Sequence, residues 1–179
     1  MADRLKAQNR AEYILYMWQV EDIVRSFGCD FDRLREGYLR HFSVEEGRRE
    51  ALEAWYADIV LMMRGEGVAE AGGHLQINRN AVAELDELHR SLSVSDKFPF
   101  YRAAYMKVLP YIVEVRGKGA DKSLGETELC LNILYGMLML RLQKKPVSDA
   151  TAKAAADVTT FLGMLSDYYF KDREKPLEF

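Results

Sequence analysis

The chain has 179 residues, of which 49% are apolar and 30% charged, a composition that excludes a disordered or fibrous protein and fits one globular domain over 1–179. Twenty-eight acidic against 25 basic residues leave a net charge of −3, so the electrostatic footprint of a dedicated nucleic-acid binder is missing. The longest apolar stretch, Leu129 to Leu140, is interrupted by Asn132 and falls well short of the roughly 20 residues that cross a bilayer.

Breakers and caps cut the chain into about seven helical segments. The first is expected from near Asp3 to Phe27, stopping at Gly28. A short second helix follows from Phe31 to about Phe42, with Asp30 as its N-cap. Ser43-Val44-Glu45-Glu46 has capping-box spacing, in which serine and glutamate satisfy each other's orphan amides, and opens a third helix lasting to about Arg64. Gly65, Gly67, Gly72 and Gly73 then mark residues 65–77 as a loop. A fourth helix, about Ala81 to Leu92, leads to Asp96 and to Pro99, which suits the first turn of a fifth. That helix runs to about Arg116 with Pro110 inside it, and Gly117-Lys118-Gly119 ends it. Ser123-Leu124-Gly125-Glu126 is a second capping box, opening a sixth helix to about Gln143. Pro146 breaks the chain, Ser148 starts a seventh helix to about Phe170, and the charged tail 171–179 is expected to fray. No strand-like alternation longer than a few residues occurs. The fold class expected is all-α, a single-domain helical bundle.

Helix faces agree. At about 100° per residue, Tyr101, Tyr105, Val108, Ile112 and Val115 share one stripe, with Pro110 opposite, where it bends the helix without costing core contacts. Leu52, Trp55, Tyr56, Ile59 and Met63 form the stripe of the third helix. The sixth, LCLNILYGMLML, is apolar nearly all round, which predicts a central helix near 126–143.

The strings AEYILYMWQVEDIVR, HLQINRN, KFPFYRAAYMKVLPYIVEVR and ELCLNILYGMLMLRLQKK together resemble a bacterial family of compact helical proteins, domain of unknown function 4924. The resemblance spans most of the chain and is weakest around GEGVAEAGG. It implies an all-helical, cytoplasmic bacterial protein, and it implies no activity, catalytic residue or partner.

Patterns that carry chemistry are few. Gly117 to Ser123 suggests a phosphate loop, but Asp121 stands where that loop needs glycine and a helix precedes it instead of a strand. His41, His74, His89, Cys29 and Cys130 show no paired ligand spacing, so neither a metal nor another cofactor is expected. Two cysteines make no disulfide framework, and the polar start MADRLKAQNR has no apolar signal core; a reduced cytoplasmic protein is the expectation. The aromatic groups Tyr13, Tyr16 and Trp18 read as core and core edge. Tyr168-Tyr169-Phe170 covers most of a helix circumference, so at least one ring is expected to face outward.

Glu21 is the first anomaly. It falls inside the apolar arc of the first helix, formed by Tyr13, Met17, Val20, Val24 and neighbours, whereas Glu12, Gln19 and Asp22 hold the polar side. A carboxylate on an apolar face is paired or has a raised pKa; the plainer reading here is an ion pair or buried hydrogen bond, with Arg141, Arg48 or Arg25 as partner. The second anomaly lies on the sixth helix, where Glu128, Asn132, Tyr135 and Gln143 form a narrow stripe beside Gly136. Such a stripe either faces solvent or lines a cavity between helices, and the tyrosine and glycine point to partial burial.

Two functions follow. With no nucleophile–base pair, metal cluster or phosphate loop in view, the first is a non-enzymatic interaction module, a homodimer or a binder of another protein, with no nucleic-acid or membrane partner. The second is a small-molecule-binding or catalytic bundle built on a buried Glu21 and the Asn132/Tyr135 seam.

Overall fold

The computed structural model describes residues 1–70 and 73–179, so Ala71 and Gly72, near the end of the GEGVAEAGG string, lie outside the described residues. Eight α-helices follow one another: α1 Ala2–Gln8, α2 Arg10–Ser26, α3 Phe31–Gly37, α4 Glu46–Gly65, α5 Gln76–Val94, α6 Pro99–Gly117, α7 Glu126–Leu142 and α8 Asp149–Glu174, with a 3₁₀ turn at Leu39–His41 between α3 and α4. The fold is all-α, and no strand occurs among the described residues.

Helix ends show which sequence signals act. Asp30 caps α3 as expected, its carboxylate accepting the Arg33 amide at 3.0 Å; that bond holds the carboxyl below its usual range. Ser148 caps α8 through the Thr151 amide at 3.2 Å, and Pro99 occupies the first turn of α6. The single first helix is corrected to two. Asn9 has extended backbone (φ −150°, ψ 102°) and its side chain accepts the Glu12 amide at 3.1 Å. Asn9-Arg10-Ala11-Glu12 is itself a cap pattern, masked by apolar periodicity on both sides.

Neither serine of the two expected capping boxes opens its helix. Helix α4 starts at Glu46, behind an extended Glu45. The 3₁₀ turn has already carried the chain past Tyr38, whose ring meets Phe42 and Tyr56 edge-on, and Arg49 takes the Phe42 carbonyl at 3.0 Å. Ser123 turns toward Asp121, donating both its amide and its hydroxyl to that carboxylate at 2.8 Å. Helix α8 passes Phe170 and ends at Glu174, and the tail 175–179 follows it. There the Leu177 amide donates to Asp172 at 2.8 Å, and the Phe179 ring lies 5.7 Å from Phe98.

The helices group into two compact units, residues 1–15 with 81–179, and residues 16–80. In the first, α6 and α7 pack on each other and on α8. Tyr101, Val108 and Ile112 of α6, Leu129 and Leu131 of α7, and Val158, Phe161, Leu162 and Leu165 of α8 are buried. Of the expected α6 stripe, Tyr101, Val108 and Ile112 are buried and Tyr105 and Val115 half-buried, and Pro110 is exposed opposite them. In the second unit α3 packs on the 3₁₀ turn and α4; Trp18, Val24, Leu34, Leu39, Tyr56, Ile59, Met63 and Leu75 are buried there. Helix α7 is not the surrounded central helix its composition predicts. Thr127, Leu129, Cys130, Leu131 and Met137 are buried, while Asn132 and Gly136 are exposed and Leu142 is 63% exposed.

Candidate functional site

Glu21, midway along α2, is fully buried, and the chain entering α5 wraps around it. Its Oε1 accepts the Leu75 amide at 2.9 Å and the Asn78 side-chain amide at 2.6 Å. Its Oε2 lies 2.6 Å from His74 Nδ1, within hydrogen-bond distance. The His74 ring stacks on Trp18, with centroids 4.2 Å apart. Of the three arginines proposed as partners, only Arg25, one turn along, comes near, at 4.0 Å. It binds the same loop, donating to the carbonyls of Val68 and Gly73. Arg48 is 81% exposed beside Glu45, and Arg141 is exposed on α7; neither serves Glu21.

This arrangement starts a helix. The Leu75 amide is held by Glu21 and the Gln76 amide by Glu66, at 2.6 Å. Carboxylates at a helix N-terminus satisfy orphan donors and complement the positive end of the helix dipole. Because these caps come from other helices, α5 begins at Gln76, five residues before the expected Ala81.

A second buried network went unrecognised in the sequence. On α5, Asp86 accepts the Thr127 amide at the start of α7 at 3.3 Å and the Arg90 guanidinium at 2.6 Å. Gly125 passes so close that a Cβ there would stand 2.6 Å from Asp86 Oδ1. One turn on, His89 Nδ1 is 2.8 Å from the Tyr101 hydroxyl, and His89 Nε2 is 3.2 Å from Glu126. Glu126 also accepts the Tyr105 hydroxyl at 2.8 Å. The only sequence signal was Asp86 and His89 standing three apart on one helix face.

Hydroxyl, imidazole and carboxylate stand here in the order of a catalytic relay. However, Tyr101 is fully buried, and burial raises its phenol far above the ordinary value, so the hydroxyl end meets no substrate. Burial, and then the Glu126 charge, raises the Cys130 thiol to about 12, which leaves no thiolate for nucleophilic attack near neutrality. Tyr105 is raised to about 12 by burial and by its bond to Glu126. Among the described residues no group of three or more His, Cys, Asp or Glu side chains is placed to hold a metal ion.

The α7 stripe divides between half-buried and exposed positions. Asn132 and Gln143 are exposed, Glu128 and Tyr135 half-buried, and Gly136 exposed with nothing within 4 Å of where a Cβ would stand. Asn132, Gly136 and Gln143 are therefore its outward positions. Two surface cavities lie elsewhere: one of about 700 Å³ bounded by Lys97, Phe98 and the tail, the other of about 280 Å³ beside Glu84 and Tyr169. Neither takes in Glu21 or Asn132. Nor does the aromatic triplet of α8 send a ring fully outward. Tyr169 is buried, its hydroxyl donating to Glu84 at 2.8 Å, while Tyr168 and Phe170 are half-buried. No helix among the described residues is long and apolar enough to cross a membrane.

The family model described as Domain of unknown function (DUF4924) matches residues 1–176. No curated protein and no solved structure matches the chain.

Proposed function

We propose, for a chain that belongs to the family Domain of unknown function (DUF4924), that it is a non-enzymatic helical interaction module of the cytoplasm, docking a protein partner on the outward face of α7. The supporting observation is a mismatch between composition and burial. A helix apolar nearly all round is ordinarily enclosed, yet α7 buries only Thr127, Leu129, Cys130, Leu131 and Met137. Ile133, Leu134, Leu138, Met139 and Leu140 are half-buried and Leu142 is largely exposed. Covering a fully exposed leucine is worth roughly 1.5–3 kcal/mol, so this face gains from a partner. Its Tyr, Met, Leu, Asn and Gly content resembles an interface core, where aromatic residues and methionine are enriched and Lys and Glu depleted.

The ligand-binding alternative relies on Glu21 and the Asn132/Tyr135 seam, of which Tyr135 is half-buried. Asn132 stands in solvent, and Glu21 is fully engaged in starting α5. The cytoplasm fits two buried free thiols, Cys29 and Cys130. The test is a photo-reactive amino acid placed at position 136, and at exposed Lys153 of α8 as control, in cells producing the protein. Cross-linked protein adducts from position 136 but not 153 are expected; no adduct from 136 overturns the proposal.

A further inference from the structure

We infer that the cavity of about 700 Å³ at the end of α8 is a binding site for a small organic monoanion, a carboxylate carried on a flat apolar body. The site is separate from the docking face, since no residue of α7 borders it, and the two are tested independently.

Three segments build the cavity. The last turn of α8 supplies Lys171 and Glu174, the tail supplies residues 175–178, and the corner between α5 and α6 supplies Lys97 and Phe98. Two contacts set these walls in place. The Leu177 amide donates to Asp172 at 2.8 Å, which turns the tail back along the helix. The Phe98 ring stands edge-on to Tyr168, with centroids 5.3 Å apart, and lies 5.7 Å from Phe179, so it is a fixed surface. The volume falls within the roughly 300–1,000 Å³ of small-molecule sites.

The lining sets the chemistry. Phe98, Pro176 and Leu177 give the cavity its apolar surface, and an aromatic ring on that surface favours a flat partner, through offset or edge contacts beyond simple burial. Around it stand the ammonium groups of Lys97, Lys171 and Lys175, against the carboxylates of Glu174 and Glu178. Lys97 pairs with Glu178 at 3.8 Å, and the Lys171 Nζ lies over the Tyr168 ring, 5.1 Å from its centroid. Neither Lys171 nor Lys175 has a salt-bridge partner among the described residues. The cavity thus carries one positive charge in excess, on a chain whose net charge is −3. Lysines in the last turn of a helix ordinarily complement its dipole, but that role does not account for Lys97, which reaches the same space from another element. A monoanion balances the excess, a dianion overshoots it, and a cation adds to it. Sites of this kind hold a mostly apolar ligand and orient it with a few charged groups.

The probe is naphthoate, with naphthylmethylammonium as a counterpart of the same apolar body and opposite charge. Amide NMR spectra of the isotope-labelled full chain are recorded through a titration with each. Naphthoate should give saturable shifts centred on residues 97–98 and 171–178, with Kd between about 10 µM and 1 mM. Naphthylmethylammonium should bind at least ~10-fold more weakly, because it meets like charge. The double substitution Lys171→Gln with Lys175→Gln should weaken naphthoate about 5-fold, the scale of two exposed ion pairs, whereas Lys153→Gln, earlier on α8, should leave it unchanged. Both cavity lysines are exposed, so the dispersed spectrum of the fold should survive, and the same spectra check that it does. No saturable shift with naphthoate overturns the inference, as do shifts centred elsewhere in the chain. Equal affinity for the two probes, or a folded double variant that binds naphthoate as tightly as the parent, overturns it too.

Discussion

Glu21→Ala tests whether the start of α5 depends on a carboxylate from another helix. The substitution removes the acceptor of the Leu75 amide and of the Asn78 side-chain amide. Leu75 and Asn78 are fully buried, so water does not replace the lost bonds. A stranded buried donor costs about 1–3 kcal/mol, and loss of a helix cap about 1 kcal/mol. His74 is partly exposed and rehydrates at little cost, and relief from burying the carboxylate offsets part of the sum. A net loss of about 3 kcal/mol is expected, which for a chain of this size lowers Tm by roughly 6–12 °C. Glu21→Gln keeps one acceptor but turns an amide N–H toward His74 Nδ1, so an intermediate loss is expected. Urea unfolding followed by tryptophan fluorescence reads the change, since Trp18 stacks directly on His74. Hydrogen exchange should show lost protection beginning at the first turn of α5. A Glu21→Ala loss under about 1 kcal/mol, or protection at residues 75–79 equal to the parent, would refute the reasoning.

Gly125→Ala should destabilise by about 2 kcal/mol in urea, because the new methyl meets Asp86 Oδ1 at 2.6 Å and both its other carboxyl heavy atoms at 2.8 Å; combined with Asp86→Ala, the two losses should sum to less than their separate values. Cys29 and Cys130 are buried with raised thiol pKa values, so a thiol-reactive disulfide reagent at neutral pH should modify neither until denaturant is added. Tyr105 is held protonated in the fold to about 12, against an ordinary value of about 10. Its stabilisation is complete below pH about 10 and is lost as pH rises from about 10 to about 12. Denaturant titrations across that window should show stability falling with pH, and falling less steeply in Tyr105→Phe.

Helices that begin with a residue of their own were legible in the sequence. Asp30, Ser148 and Pro99 lie next to the turns they start, and those three starts are correct. Helices begun by a distant residue were not. Nothing between His74 and Asn80 announces that Glu21 and Glu66 will receive the amides of Leu75 and Gln76, so α5 was expected five residues late. The same holds for α7, where Ser123 offers a local cap but Asp86, 41 residues earlier, takes the amide of Thr127. The burial of Glu21 itself followed from helical periodicity, because the angle of a residue on a helix is fixed by counting. Its partners did not, since His74 and Asn78 reach it only through the path of a loop.

Helix α7 shows what composition alone leaves open. An apolar surface on every side states that something covers the helix, and the usual inference is that the same chain does so. The buried Leu129, Cys130 and Leu131 satisfy that inference, whereas Asn132, Gly136 and Leu142 break it. Composition reports how much apolar surface must be shielded from water, but it carries no record of which molecule provides the shield.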